Sequence, residues 1–223
     1  MNPDRSRDIQ CFDPKQEYAV CERRLPHWSQ AGTVSFLTFR LWDSIPQPVL
    51  NRWLKERWDW LRQHGVDPHA GNWRSEVERL AISEQRDFHD TVMNRWNDDL
   101  DACHGSCILR RSELAKIVSD SLDHFDGDRY ELTDYVVMPN HVHVLVAFPD
   151  EAAMLKQCTS WKHFTATRIN EVIGRTGSLW QQDGFDHLVR SPESFDHFRR
   201  YIADNPRRAN LPAGTAVHYS KPL

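Results

Sequence analysis

His141 and His143 stand one residue apart in YVVMPNHVHVLV, the otherwise apolar run from Tyr135 to Val146. In a strand, residues two apart point to the same side, so both imidazoles project together while Val142, Val144 and Val146 point the other way. Neutral imidazoles in that arrangement can grip a divalent ion. The same spacing also suits two histidines in a core or on a surface. Further along, Tyr201 and Asn205 lie one helical turn apart, on the flank of a stripe formed by Phe195, Phe198 and Ile202. A tyrosine there can keep its hydroxyl available, with Asn205 offering an oxygen ligand beside it. The ordinary alternative is an edge tyrosine covering the core, with Asn205-Pro206 as a helix stop.

Positioning these groups takes a sheet and a terminal helix. Gly32 to Leu41 alternates, with Val34, Phe36 and Thr38 on one side and Ser35, Leu37 and Phe39 on the other, which predicts a first strand. Pro46 ends that segment, because proline cannot continue a ladder. Apolar residues then fall at helical spacing from Pro48 to about His64, and again from about Ser75 to Ala102 with a break in the middle. The tryptophans here are either a base-stacking surface or anchors that pack an acidic helical insertion, residues 48–106, onto the domain. Cys103-His104-Gly105-Ser106-Cys107 lacks the second ligand pair that a zinc site needs, which leaves a tight glycine turn as the better account.

Ser112 to Phe125 predicts a helix with a serine cap. A strand starting near Tyr130 leads through Met138-Pro139-Asn140 into the histidine strand. A helix from Ala153 to about Ile173, a short strand at Asp186–Arg190 and a last helix at Pro192–Asn205 follow, the last closed by Pro206 and trailed by an irregular tail. Residues 1–31 read as an irregular arm. Without the insertion, this order gives an antiparallel sheet with helices stacked on one face, an α+β fold in a single domain.

At 223 residues the chain has room for one domain carrying a large insertion. Charged residues make up 27%, and no apolar run reaches the ~18–20 residues that span a bilayer, so no membrane partner is expected. The N-terminus lacks a secretory apolar core and the five cysteines are irregularly spaced, which predicts a cytoplasmic protein with reduced thiols. A net charge of -4 argues against a protein that coats nucleic acid indiscriminately. The balance is uneven: residues 151–223 hold 10 Lys and Arg against 7 Asp and Glu, whereas residues 1–150 hold 18 against 25. A polyanion would meet the C-terminal part.

The segments MPNHVHVLV, SWKHFTATRIN and LWQQDGFDHLVRSPESFDHFRRYIADNPRRANL, in that order within residues 130–211, resemble the REP-associated tyrosine transposases and the wider insertion-sequence single-tyrosine transposases of the HUH class. The strand at Gly32–Leu41 fits the family's first strand, and the helical insertion departs from its minimal domain. The resemblance implies a ferredoxin-like α+β sheet. It makes His141 and His143 the HUH pair, Tyr201 the nucleophile and Asn205 the polar residue that completes a site for Mg²⁺ or Mn²⁺. It also implies cleavage and rejoining of single-stranded DNA through a 5′-phosphotyrosine, on hairpin or palindromic repeat substrates, by a monomer or a homodimer. Lys162, Arg168, Trp180, His187, Arg190, Arg199, Arg200, Arg207 and Arg208 would position the DNA. Two other readings compete: a non-catalytic, sequence-specific DNA-binding regulator of the same fold, and a metal-dependent hydrolase that uses water and needs only the histidines.

Overall fold

Two buried runs of alternating residues decide the architecture, because each has apolar side chains on both faces and so needs cover on both. They are β3 (Val34–Arg40) and β5 (His141–Ala147), the latter joined by a tight turn to β4 (Glu131–Val137). The computed structural model describes residues 10–13, 15–16, 19–22, 26–182 and 185–222. In chain order its other elements are β1 (Ala19–Glu22), β2 (Pro26–Ser29), α1 (Gln47–Gln63), α2 (Trp73–Arg79), α3 (Ile82–Phe88), α4 (Asn94–Asp101), α5 (Ser112–Asp123), α6 (Glu151–Ile173), β6 (Phe185–Leu188), α7 (Pro192–Arg208) and β7 (Val217–Ser220).

The expected α+β class is what the chain adopts. The main sheet has the order β6-β3-β5-β4-β7, with every neighbouring pair antiparallel. One face, with Leu37, Phe39, Val142, Val144 and Val146, packs on α5 and α6 through Leu114, Val118, Leu122, Met154, Trp161 and Ile169. The other, with Val34, Phe36, Val136 and Leu145, packs on α7 through Phe195 and Ile202. The expectation of helices on one face is therefore corrected. A face carrying Val34, Phe36 and Leu145 cannot stay wet, and burying Phe195 and Ile202 against it contributes roughly 1.5–3 kcal/mol per side chain.

Local signals set the helix ends. Asp150 caps α6 by accepting from the Ala153 N–H at 2.7 Å, and Gly174 closes it in the left-handed region at φ 64°. Ser191 caps α7 by accepting from Ser194 N–H at 3.1 Å, with Pro192 in the first turn. Four details differ from expectation. Ser112 is the first residue of α5 and not its cap. Pro206 lies inside α7, which runs on to Arg208; its missing N–H removes one i→i−4 bond from the helix. The tail forms β7 on the edge of β4, with Tyr219 stacked on Tyr135 at 5.3 Å. Within the expected arm, β1 and β2 pair antiparallel, and Gln10 and Phe12 bond to β3 and Val189; residues 1–9 of it lie outside the described residues.

The chain divides into two compact units, Met1–Trp42 with Ile108–Leu223, and Asp43–Cys107. The second has its own core of Trp53, Trp60, Leu61, Val66, Trp73, Val77, Phe88 and Val92. Its indoles are tied inward: Trp53 Nε1 donates to Val92 O at 3.0 Å and Trp60 Nε1 to Asp87 at 2.6 Å, and Arg57 lies over the rings of both Trp53 and Trp73. These tryptophans are packed within the unit. The expected break in the second helical stretch is real, with α2, α3, a π-helical turn at His89–Met93 and α4 in succession. The two ends of the unit meet at a neck, where Ser106 N–H donates to Asp43 Oδ2 at 2.8 Å. Gly105, at φ 87°, passes so close to the Asp43 backbone that a Cβ would collide with its carbonyl. Among the described residues no helix is long and apolar enough to cross a membrane.

Candidate active site

The histidine strand starts from a buried turn held by backbone hydrogen bonds. Met138 N–H donates to His141 O at 2.9 Å, Leu109 N–H to Pro139 O at 3.1 Å and Leu41 N–H to Asn140 O at 2.8 Å. His141 and His143 then point to the α7 side of the sheet, both fully buried, with ring centroids 4.6 Å apart. Burial pushes the His141 pKa down to about 3, partly offset by a hydrogen bond with Asn205, and lowers that of His143 well below its usual value. Both imidazoles are therefore neutral near pH 7.

Each ring is oriented through Nδ1. Asn140 Oδ1 lies 2.8 Å from His141 Nδ1, and an amide oxygen only accepts, so that nitrogen carries the proton and Nε2 keeps its lone pair. Thr38 Oγ1 lies 2.7 Å from His143 Nδ1. Nε2 of His143 is buried and makes no hydrogen bond among the described residues, the condition of a ligand nitrogen. Together with the amide of Asn205, the two imidazoles form a donor set suited to a divalent ion that accepts mixed nitrogen and oxygen ligands. Among the described residues there is no group of three or more His, Cys, Asp or Glu that could hold a metal ion.

The last helix completes the site. Tyr201 is half-buried, with its ring edge-on to His143 at 5.2 Å and to Phe36 at 5.9 Å. Phe36 stacks on His143 on one side and on Phe198 on the other, at 5.0 and 4.5 Å. Asn205, expected on a helix flank, is fully buried. The helix is locked in place by Arg199, which reaches buried Asp134 at 3.0 Å, Ser220 at 2.6 Å and the Lys221 carbonyl at 2.9 Å. That network occupies Arg199 with the fold.

The proposed DNA contacts separate into two groups. Arg208 lies over the Tyr201 ring at 5.2 Å, and His187 lies 5.5 Å from Phe198, so both border the site. Arg190, Arg200 and Arg207 are exposed; Arg200 donates to the Asp196 carbonyl and Arg207 pairs with Asp204. Lys162, Arg168 and Trp180 belong to the α6 side of the sheet. Lys162 donates to the Gln181 and Gln182 carbonyls at 3.1 Å, and Arg168 pairs with Glu171. Trp180 is buried edge-on to Phe39, and its Nε1 donates to Thr165 at 2.9 Å. Stacking on a base would require it to leave that pocket. Sequence reasoning passed over Thr38, Arg40 and Asn140; the signal for the first two was polar side chains alternating along one face of an apolar strand.

Residues 110–205 match the model of the family described as Transposase IS200 like. The matched segment begins just before α5, ends at Asn205 and spans a little under half of the chain. It contains both histidines and Tyr201, so the likeness to IS200-like transposases is a property of the segment that builds the site. No curated relative matches the chain. Among solved structures it is similar to a REP-associated tyrosine transposase bound to a REP hairpin, at 14% identity over 85% of this chain and 75% of that chain, with a TM-score of 0.39. That likeness is too loose to carry an inference about chemistry.

Proposed function

We propose that this protein is a single-stranded DNA transposase that cleaves and rejoins strands through Tyr201. The observation that carries the reading is the convergence of β5 and α7: two neutral, oriented imidazoles, an amide in hydrogen bond with one of them, and a tyrosine ring against the other. His141, His143 and Asn205 would hold Mg²⁺ or Mn²⁺, which when bound supplies Lewis-acid polarisation of the scissile phosphate. Tyr201 Oη attacks phosphorus; the Oη–P bond forms, the P–O3′ bond breaks, the phenolic proton leaves and the 3′-oxygen takes one up. The products are a 5′-phosphotyrosine and a free 3′-OH. A second 3′-OH reverses the step and joins a new strand without an external energy source, because the phosphodiester energy is kept in the covalent link.

Hairpin-bearing or palindromic single strands are the proposed substrates, with Arg208 and His187 the bordering residues best placed to meet them. The test is incubation of the protein with hairpin-bearing single-stranded DNA and Mn²⁺, followed by denaturing electrophoresis. A covalent adduct that disappears in Tyr201→Phe supports the assignment. An adduct that survives Tyr201→Phe refutes it, and strand cleavage without an adduct points to a hydrolase using water. Binding without cleavage on any substrate would leave a DNA-binding regulator.

A further inference from the structure

The α7-facing side of β3 runs alongside the histidine pair. Its side chains alternate Phe36, Thr38, Arg40, and the ladder sets Thr38 opposite His143 and Arg40 opposite His141. Phe36 stacks on His143 and Thr38 holds its Nδ1. Directly paired residues on one face of an antiparallel ladder have Cβ atoms roughly 4.5–5.5 Å apart. The Arg40 side chain therefore starts beside the His141 ring. Its backbone is fixed, since the Arg40 carbonyl accepts from Gln181 N–H at 2.9 Å and the next N–H, that of Leu41, donates to Asn140 at 2.8 Å. A guanidinium is charged at neutral pH, so Arg40 brings a positive charge to the strand pair that carries the histidines.

Resting on the transposase reading, we infer that Arg40 is a further catalytic residue, whose guanidinium grips the non-bridging oxygens of the scissile phosphate next to His141. A planar fork matches two phosphate oxygens in a way an ammonium does not. Fixed in a partly desolvated site, it is worth most when negative charge builds on those oxygens as Tyr201 attacks. Arg40 lies far outside the positively charged C-terminal part to which the other proposed contacts belong. The strand pairing delivers it.

The experiment compares wild type, Arg40→Gln and Arg40→Lys for adduct formation on hairpin-bearing single-stranded DNA, alongside Mn²⁺ affinity and thermal melting. The expected result is adduct formation slowed by ~100-fold or more in Arg40→Gln and by ~10-fold in Arg40→Lys, with Mn²⁺ affinity and melting held. A rate in Arg40→Gln within about threefold of wild type overturns the assignment. If Arg40→Gln does not fold, Arg40→Lys decides alone, and a rate equal to wild type overturns it. If wild type forms no adduct, the transposase reading fails separately. Inorganic phosphate titrated against the Mn²⁺-loaded protein and read by ³¹P line broadening then settles the clamp. Broadening lost in Arg40→Gln supports it, and equal broadening in both proteins overturns it.

Discussion

Thr38 Oγ1 sits 2.7 Å from Nδ1 of His143, joining two strands and setting the direction of an imidazole whose ring neighbours are Phe36, His141 and Tyr201. With Nδ1 engaged, Nε2 is the nitrogen left for a metal ion. Thr38→Val keeps the shape and removes the hydroxyl. We expect Mn²⁺ affinity to fall by ~10- to 100-fold, as when an outer partner of a ligating histidine is lost. Titration with Mn²⁺ measures this, and an unchanged affinity would show that His143 is not a ligand oriented by Thr38.

Arg199 and Asp134 form the tie between α7 and the sheet. The Asp134 side chain is 2% exposed and that of Arg199 24%. Removing the cation leaves a buried carboxylate unpaired, so Arg199→Met should cost about 3 kcal/mol in urea unfolding, the low end for breaking a buried pair because Arg199 is partly wet. Arg199→Met with Asp134→Asn should recover part of that loss. A single variant as stable as wild type would mean that α7 is held by its apolar stripe alone.

Trp180 is a core residue by every contact it makes. Trp180→Ala should cost about 3–5 kcal/mol, whereas Arg200→Ala on the exposed side of α7 should change stability by less than ~0.5 kcal/mol. If the milder Trp180→Phe kept full stability and weakened binding to single-stranded DNA, Trp180 would be a base contact after all.

Gly105 closes the neck of the second unit at a φ only glycine adopts easily. Gly105→Ala adds both backbone strain and a collision with Asp43, so we expect a loss of roughly 1–3 kcal/mol in thermal unfolding. An alanine variant with wild-type melting would show that the neck is loose in solution.

β3 to β6 and most of the helices were legible because each rests on a local rule: alternation in the strands, and apolar residues at helical spacing in the helices. What was not legible depended on partners distant in sequence. Thr38 reads as one more strand residue until the register places it against His143. Trp180 reads as a stacking candidate until Phe39 and Thr165 enclose it. Asn205 reads as a flank residue because the face of α7 that is buried depends on the sheet it meets. β7 was missed for the same reason: Val217–Ser220 is too short to announce itself, and only the open edge of β4 makes it a strand.

The neck between Asp43 and Ser106 changes what the second unit's length means to the sheet. An unstructured loop between β3 and the segment leading to α5 would add closure entropy as it grew. Here a serine N–H on an aspartate pins the two ends together and a glycine presses against the same residue, so the closure is made within the unit itself. With its ends already closed, a longer unit adds no further closure entropy to the chain that joins β3 to α5.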